Sequence, residues 1–179
     1  MKSLIISARI LSAIILAALA APFLWEWTTG DYFMTVTGES MKPTYNIGDV
    51  LVVEKPHGDE LEKPGTIVVV SFTPGDKDQQ YVHRVLEMTG EGAILQGDNN
   101  DTPDPSPVTA EQVMGTPRYV FTDELGTLYR ATQHPLIRIP LAALALVGLL
   151  AVRPRRKHSE ATTAARDDAS PKTAPADVA

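Results

Sequence analysis

Two long apolar stretches bracket a middle section in which apolar residues come in short runs broken by turn formers. From Leu4 to Trp25 nearly every position is apolar, and Ser3, Ser7, Arg9 and Ser12 are confined to its start. A helix of ~20 such residues crosses a bilayer core. Leu136 to Val152 is a second apolar stretch, interrupted by Arg138, with Pro140 near its beginning where a proline is tolerated. Its strictly apolar part, Ile139 to Val152, is short enough that a buried core helix is the alternative reading. Between these ends the β-branched and aromatic runs predict strands at Tyr32–Val36, Val50–Glu54, Thr66–Phe72, Gln80–Met88, Ala93–Gln96 and Arg118–Phe121. Turn signals separate them at Pro56-His57-Gly58-Asp59, Pro74-Gly75-Asp76, Gly90-Glu91-Gly92 and Gly97-Asp98-Asn99-Asn100. Apart from one turn near Ala110–Val113, no helix is expected there. The pattern predicts a mainly β, compact antiparallel domain between two transmembrane helices.

Charge orients that arrangement. Lys2 and Arg9 precede the first apolar core, Glu26 and Asp31 follow it, and Trp25 and Trp27 stand at its far end as interfacial aromatics do. Arg153, Arg155, Arg156 and Lys157 close the second stretch with a basic cluster. Positive charge favours the cytoplasmic side, so both termini are expected inside a cell membrane and the β domain outside. The expected boundaries are 1–30 for the first anchor, 31–132 for the extracytoplasmic β domain, 133–153 for the second helix and 154–179 for a disordered tail. A cleaved signal peptide is the competing reading of the first segment, since Ala18-Leu19-Ala20 has a small-x-small form; the apolar run continuing to Trp25 favours a retained anchor. The net charge of −6 argues against a nucleic-acid partner. With no cysteine in the chain, thiol nucleophiles, disulfides and cysteine metal sites are excluded. No cofactor and no metal site are expected.

The chemistry concentrates in three boxes. In Gly38-Glu39-Ser40-Met41-Lys42-Pro43-Thr44, followed by Gly48-Asp49-Val50, a strand ends, Pro43 forces a turn and Ser40 stands at the junction. A serine hydroxyl needs a neighbouring base. Of the four histidines, His57 lies in a turn, His134 beside the second apolar stretch and His158 in the tail. His83 sits in Tyr81-Val82-His83-Arg84-Val85, a predicted strand in which it shares a face with Tyr81 and Val85. The third box is Gly97-Asp98-Asn99-Asn100-Asp101-Thr102-Pro103-Asp104, which by residue type alone reads as a turn or cation loop.

In this order the boxes resemble those of type I signal peptidases, in the Ser-His-Asp branch found in the endoplasmic reticulum, archaea and some Gram-positive bacteria. The resemblance covers roughly residues 30 to 121. It implies a serine endopeptidase that removes signal peptides from exported preproteins, with Ser40 as nucleophile, His83 as general base and Asp104 orienting it. Asp98, Gly97, Asn99, Met41 and Pro43 would support the site. Ser40 and Thr37 are the candidate oxyanion donors, because Gly38 stands where many relatives carry a serine. Pro103 departs from the penultimate aspartate of the pattern. Lys42 fits neither the family's lysine box nor an Ser-x-x-Lys helix and reads as a surface residue. Phe33, Thr35, Thr37, Tyr81 and Val82 are the expected wall for an extended substrate with small residues before the cut. Signal peptides and the lipid bilayer are the implied partners, with association with the secretion channel a further one. The rivals are a self-cleaving repressor-type serine protease, and a non-catalytic membrane-anchored β domain that binds exported chains; Gly38 and Pro103 keep the second alive.

Overall fold

The computed structural model describes residues 2–151. The basic cluster Arg153, Arg155, Arg156 and Lys157, His158 and the tail lie outside the described residues.

Helix α1 (Lys2–Thr29) leads into a six-stranded sheet. Its strands are β1 (Tyr32–Thr35), β2 (Val50–Glu54), β3 (Ile67–Ser71), β4 (Gln80–Thr89), β5 (Gly92–Gln96) and β6 (Val113–Phe121), in the order β1-β2-β6-β3-β4-β5. Every pairing is antiparallel, and the domain is mainly β, as its punctuated apolar runs predict. Strand β3 explains why the sheet has two cores. Its successive side chains point to opposite faces. Val68 and Val70 join Val85, Leu95 and Val113 on one side, and Val69 joins Leu51, Val53, Met41 and Val82 on the other. Register shifts at Val52/Val53, Val69/Val70 and Val85/Glu87 bend the strands, and the Tyr32 hydroxyl reaches Gln80 Oε1 at 2.7 Å, so β1 and β4 face each other across the second core.

Three expectations need correction. Strand β6 begins at Val113 rather than Arg118, because Gly115 and Pro117 are accommodated inside it; Pro117 sits at the bulge against Val53, where the missing N–H does no harm. The stretch up to Thr132 contains a helix, α2 (Asp123–Gln133), after the last strand. Thr122, the acidic Asp123 and Glu124, and Arg130 in the last turn are its start and stop signals. Gly126 is what obscures it. A methyl at that glycine would lie 2.7 Å from Phe121 O, so the position serves close approach to the sheet rather than helix propensity.

The third correction concerns the membrane helices. Among the described residues, only α1 is by itself long and apolar enough to cross a membrane. Helix α3 (Pro135–Ala151), 17 residues, meets that test only together with α2, from which it is bent by 77°. α3 runs antiparallel along α1. Ser12, Leu19 and Ala145 are buried between them, and Arg138 donates to Leu19 O at 3.2 Å. At the top of α1, Trp25 Nε1 donates to the buried Asp31 carboxylate at 3.1 Å and Arg118 reaches the same oxygen at 3.5 Å, fastening the helix to the sheet.

Candidate active site

Three segments converge between the end of β1, the middle of β4 and the turn after β5. The first is the Ser40 loop. Its base is closed by Val36 N–H to Asp49 O and Gly48 N–H to Val36 O, both 2.8 Å. Met41 is almost wholly buried in the second core, which pins the loop from inside and leaves the preceding Ser40 half-exposed at the surface. Pro43, across a cis bond from Lys42, is exposed on the outer side. Lys42 pairs with Glu39 at 2.7 Å on the loop's rim, in keeping with a surface residue.

His83 is buried on β4, its ring edge-on to Tyr81 at 5.0 Å, so the strand alternation placed it correctly beside Tyr81. Its Nδ1 is 2.8 Å from Asp104 Oδ2. Asp104 is held in turn by its own N–H, which donates to Leu95 O at 2.8 Å. Burial, and then the Asp104 charge, push the Tyr81 hydroxyl up to about 12, so it stays protonated in neutral solution.

Gly97 lies where these pieces meet. A methyl at Gly97 would stand 2.6 Å from Ser40 O and 2.9 Å from both His83 Nε2 and Asn100 Nδ2. No side chain larger than hydrogen fits there without displacing the Ser40 backbone and the His83 ring. Asn99 N–H donates to Ser40 O at 2.7 Å, so the third box grips the backbone of the first. The Ser40 hydroxyl itself is not hydrogen-bonded to His83; such bonds are commonly long before substrate binds.

Asp98, expected to support the site, is held by side chains from two other segments. It takes the guanidinium of Arg84 in two parallel bonds, Nε to Oδ1 at 2.8 Å and Nη2 to Oδ2 at 2.7 Å, and the Thr44 hydroxyl besides. The Arg84 bonds hold its carboxyl below the ordinary aspartate range. Thr44 and Arg84 belong to the first and second boxes. Nothing local marks their partnership, since Thr44 and Asp98 are 54 residues apart in the chain.

A cleft of ≈ 140 Å³ opens beside Ser40, bounded by Met34, Val36, Thr37, Gly38, Gln80, Tyr81 and Val82. Tyr81, Val82 and Thr37 are thus where an extended peptide was expected. Phe33 is not. Its ring stacks on Tyr129 of α2 at 4.9 Å on the opposite face of β1, and alternation puts Thr35 on that face too; Met34 and Val36 form the wall instead. A side chain on Gly38 would meet nothing within 4 Å, so its glycine leaves the cleft open above Ser40. Among the described residues, no group of three or more His, Asp or Glu side chains converges as a metal site.

The Peptidase S24-like family model matches residues 16–116, more than half of the chain and all three boxes. No curated protein matches it.

Proposed function

The chain belongs to the Peptidase S24-like family, and on that premise we propose that it is a membrane-anchored serine endopeptidase that removes signal peptides from exported chains. The family holds both signal peptidases and self-cleaving repressors. The observation that carries the reading is the His83–Asp104 pair at 2.8 Å, directed through Gly97 at the loop that presents Ser40.

In this reading Ser40 Oγ attacks the scissile carbonyl. His83 Nε2 takes the hydroxyl proton and later returns it to the leaving amine. Asp104 accepts from His83 Nδ1–H, fixes that tautomer and stabilises the imidazolium. The Ser40 N–H is the first donor to the developing oxyanion, with Thr37 on the cleft rim as the second; one such donor is typically worth ~10²–10³ in turnover. The substrate lies extended between Thr37 and Tyr81–Val82. The narrow cleft supports a preference for small residues before the cut. Helix α1 favours the signal-peptidase reading over the repressor one, because such an anchor would hold the site beside membrane-bound substrates and raise their effective concentration. Helix α3 is proposed as the returning span.

The test is direct. Membranes carrying the wild-type chain should convert a labelled preprotein to its mature form, and membranes carrying Ser40→Ala should not. Equal processing by both would remove the catalytic reading and leave the β domain as a binding module.

A further inference from the structure

A second and larger cavity, ≈ 520 Å³, is bordered by His83 and Asp104, and Ser40 is not part of its wall. Its walls are Phe72 and Tyr81 on one side and Pro105 and Pro107 on the other, with His83 and Asp104 at its inner edge. The surface it offers is mostly apolar, and it is built rather than incidental. Phe72 leaves the end of β3 and lies over Tyr81 with ring centroids 4.9 Å apart, although the phenyl group is 66% exposed. A large aromatic left that open, outside any core cluster, has a face free for a ligand. The opposite wall is stiffened by two prolines and tied down at both ends, by Asp104 N–H to Leu95 O at 2.8 Å and by Val108 N–H to Ala93 O at 2.8 Å.

The chemistry of the reaction says which part of a substrate reaches this cavity. His83 must hand its proton to the leaving nitrogen, so the residue that departs lies on the histidine's side of the scissile bond. The cleft at Thr37, Gly38 and Ser40 takes the residues before the cut. The cavity bordered by His83 and Asp104, and not by Ser40, therefore faces the residues after it. Tyr81 lines both spaces and divides them. We infer that this cavity is a subsite for an apolar side chain, aromatic or large aliphatic, at one of the first two positions of the released chain. The inference rests on the endopeptidase reading and adds to it a selectivity on the released side of the cut.

The test uses the full chain in detergent micelles and a preprotein panel with Phe, Leu, Gly or Asp placed in turn at the first and second positions after the cut. Phe and Leu at one of those positions should raise kcat/KM about tenfold or more over Gly and Asp, a normal range for an apolar group filling a pocket. Phe72→Ala should erase that preference, bringing the Phe and Leu substrates down to the rate of the Gly substrate in the same variant, and Phe72→Leu should restore part of it. A preference within about twofold across the panel, or one that survives Phe72→Ala, overturns the subsite and leaves the endopeptidase standing. If no member is cleaved, the endopeptidase reading falls. The subsite is then read by titrating the same Phe and Asp peptides onto the Ser40→Ala chain: Phe72-dependent tighter binding of the Phe peptide supports it, and equal binding overturns it.

Discussion

Asp98 and Asp104 lie in one loop of similar residues, yet their partners give them different work. Asp104 faces an imidazole, and Asp98 faces a guanidinium and a hydroxyl that belong to two other segments. Asp104→Asn keeps the shape and removes the carboxylate that orients His83. On the proposed mechanism, turnover should fall by ~10⁴ while the melting temperature stays within a few degrees, as for the orienting carboxylate of a serine triad. Asp98→Asn should act on stability instead. Because the Asp98 carboxyl is depressed in the folded state, the Arg84 pair contributes above the unfolded aspartate value of ~3.9 and is lost as pH falls through the lower folded one. Arg84 is about a third exposed, so the contribution is on the order of 1 kcal/mol. Melts of wild type and Asp98→Asn between pH 7 and 3 should differ at neutral pH, with the difference narrowing toward the acid end. A constant difference across that range would mean the carboxylate's charge is not what matters. At this scale the sequence names residues but not partners. His83 on Tyr81's face was readable because alternation is local, whereas the clamp from Arg84 through Asp98 to Thr44, and the pressure of Ser40 and His83 on Gly97, exist only once β4 and β5 have paired.

Elements were legible in proportion to how much of their signal is their own. The β-branched runs of β2 and β3 carry theirs entirely, and the predicted spans match within a residue at each end. β6 and α2 do not. The first holds a glycine and a proline that its bulge against β2 absorbs, and the second a glycine that the sheet demands. The helix pair α1 and α3 was visible as two apolar stretches, but their contact was not. It rests on a small-residue crossing in which a methyl at Gly148 would sit 2.5 Å from the Ser12 hydroxyl and 3.6 Å from its Cβ. Small residues are what allow close approach of helices in lipid, where apolar burial drives little. That Cβ separation falls within the disulfide range of ~3.5–4.5 Å. In this cysteine-free chain, Ser12→Cys combined with Gly148→Cys should therefore cross-link on mild oxidation of membranes, read as a mobility shift that reductant reverses. Ser12→Cys with a cysteine at Leu144, whose side chain is 70% exposed, should not. Equal cross-linking of both pairs would mean that α3 does not hold this face toward α1.

For the whole molecule the question is how the site is held relative to a membrane. The order β1-β2-β6-β3-β4-β5 brings the first and fourth strands face to face, and no pattern in the sequence encodes that closure; it follows from two cores that must both be covered. The link to the membrane is more direct. α1, with 28 residues, rises ~42 Å, more than the ~30 Å of a hydrocarbon core. Asp31, held by Trp25 and Arg118, couples the helix end to β1 without a flexible linker, so the sheet stands close over the C-terminal end of α1. α3 is shorter, ~26 Å, and α2 turns sharply into it. Along both helices the side chains turned away from the pair are apolar and uncovered: Leu4, Ile10 and Ile14 on one, Leu144 and Val147 on the other. A surface of that kind fits lipid. With Lys2 and Arg9 at the start of α1 and the basic cluster following α3 in the sequence, the expected topology has both ends cytoplasmic and the sheet outside. A reporter fits in the open turn at Gly75, where an added Cβ meets nothing within 4 Å. A phosphatase active only outside the cytoplasm should be on at Gly75 and off when fused after His158, and a protease added to intact cells should cut the chain only at the Gly75 insertion. Activity at both positions would mean that α3 does not return through the membrane, and release of an active β domain into the medium would mean that α1 is removed as a signal peptide rather than kept as an anchor.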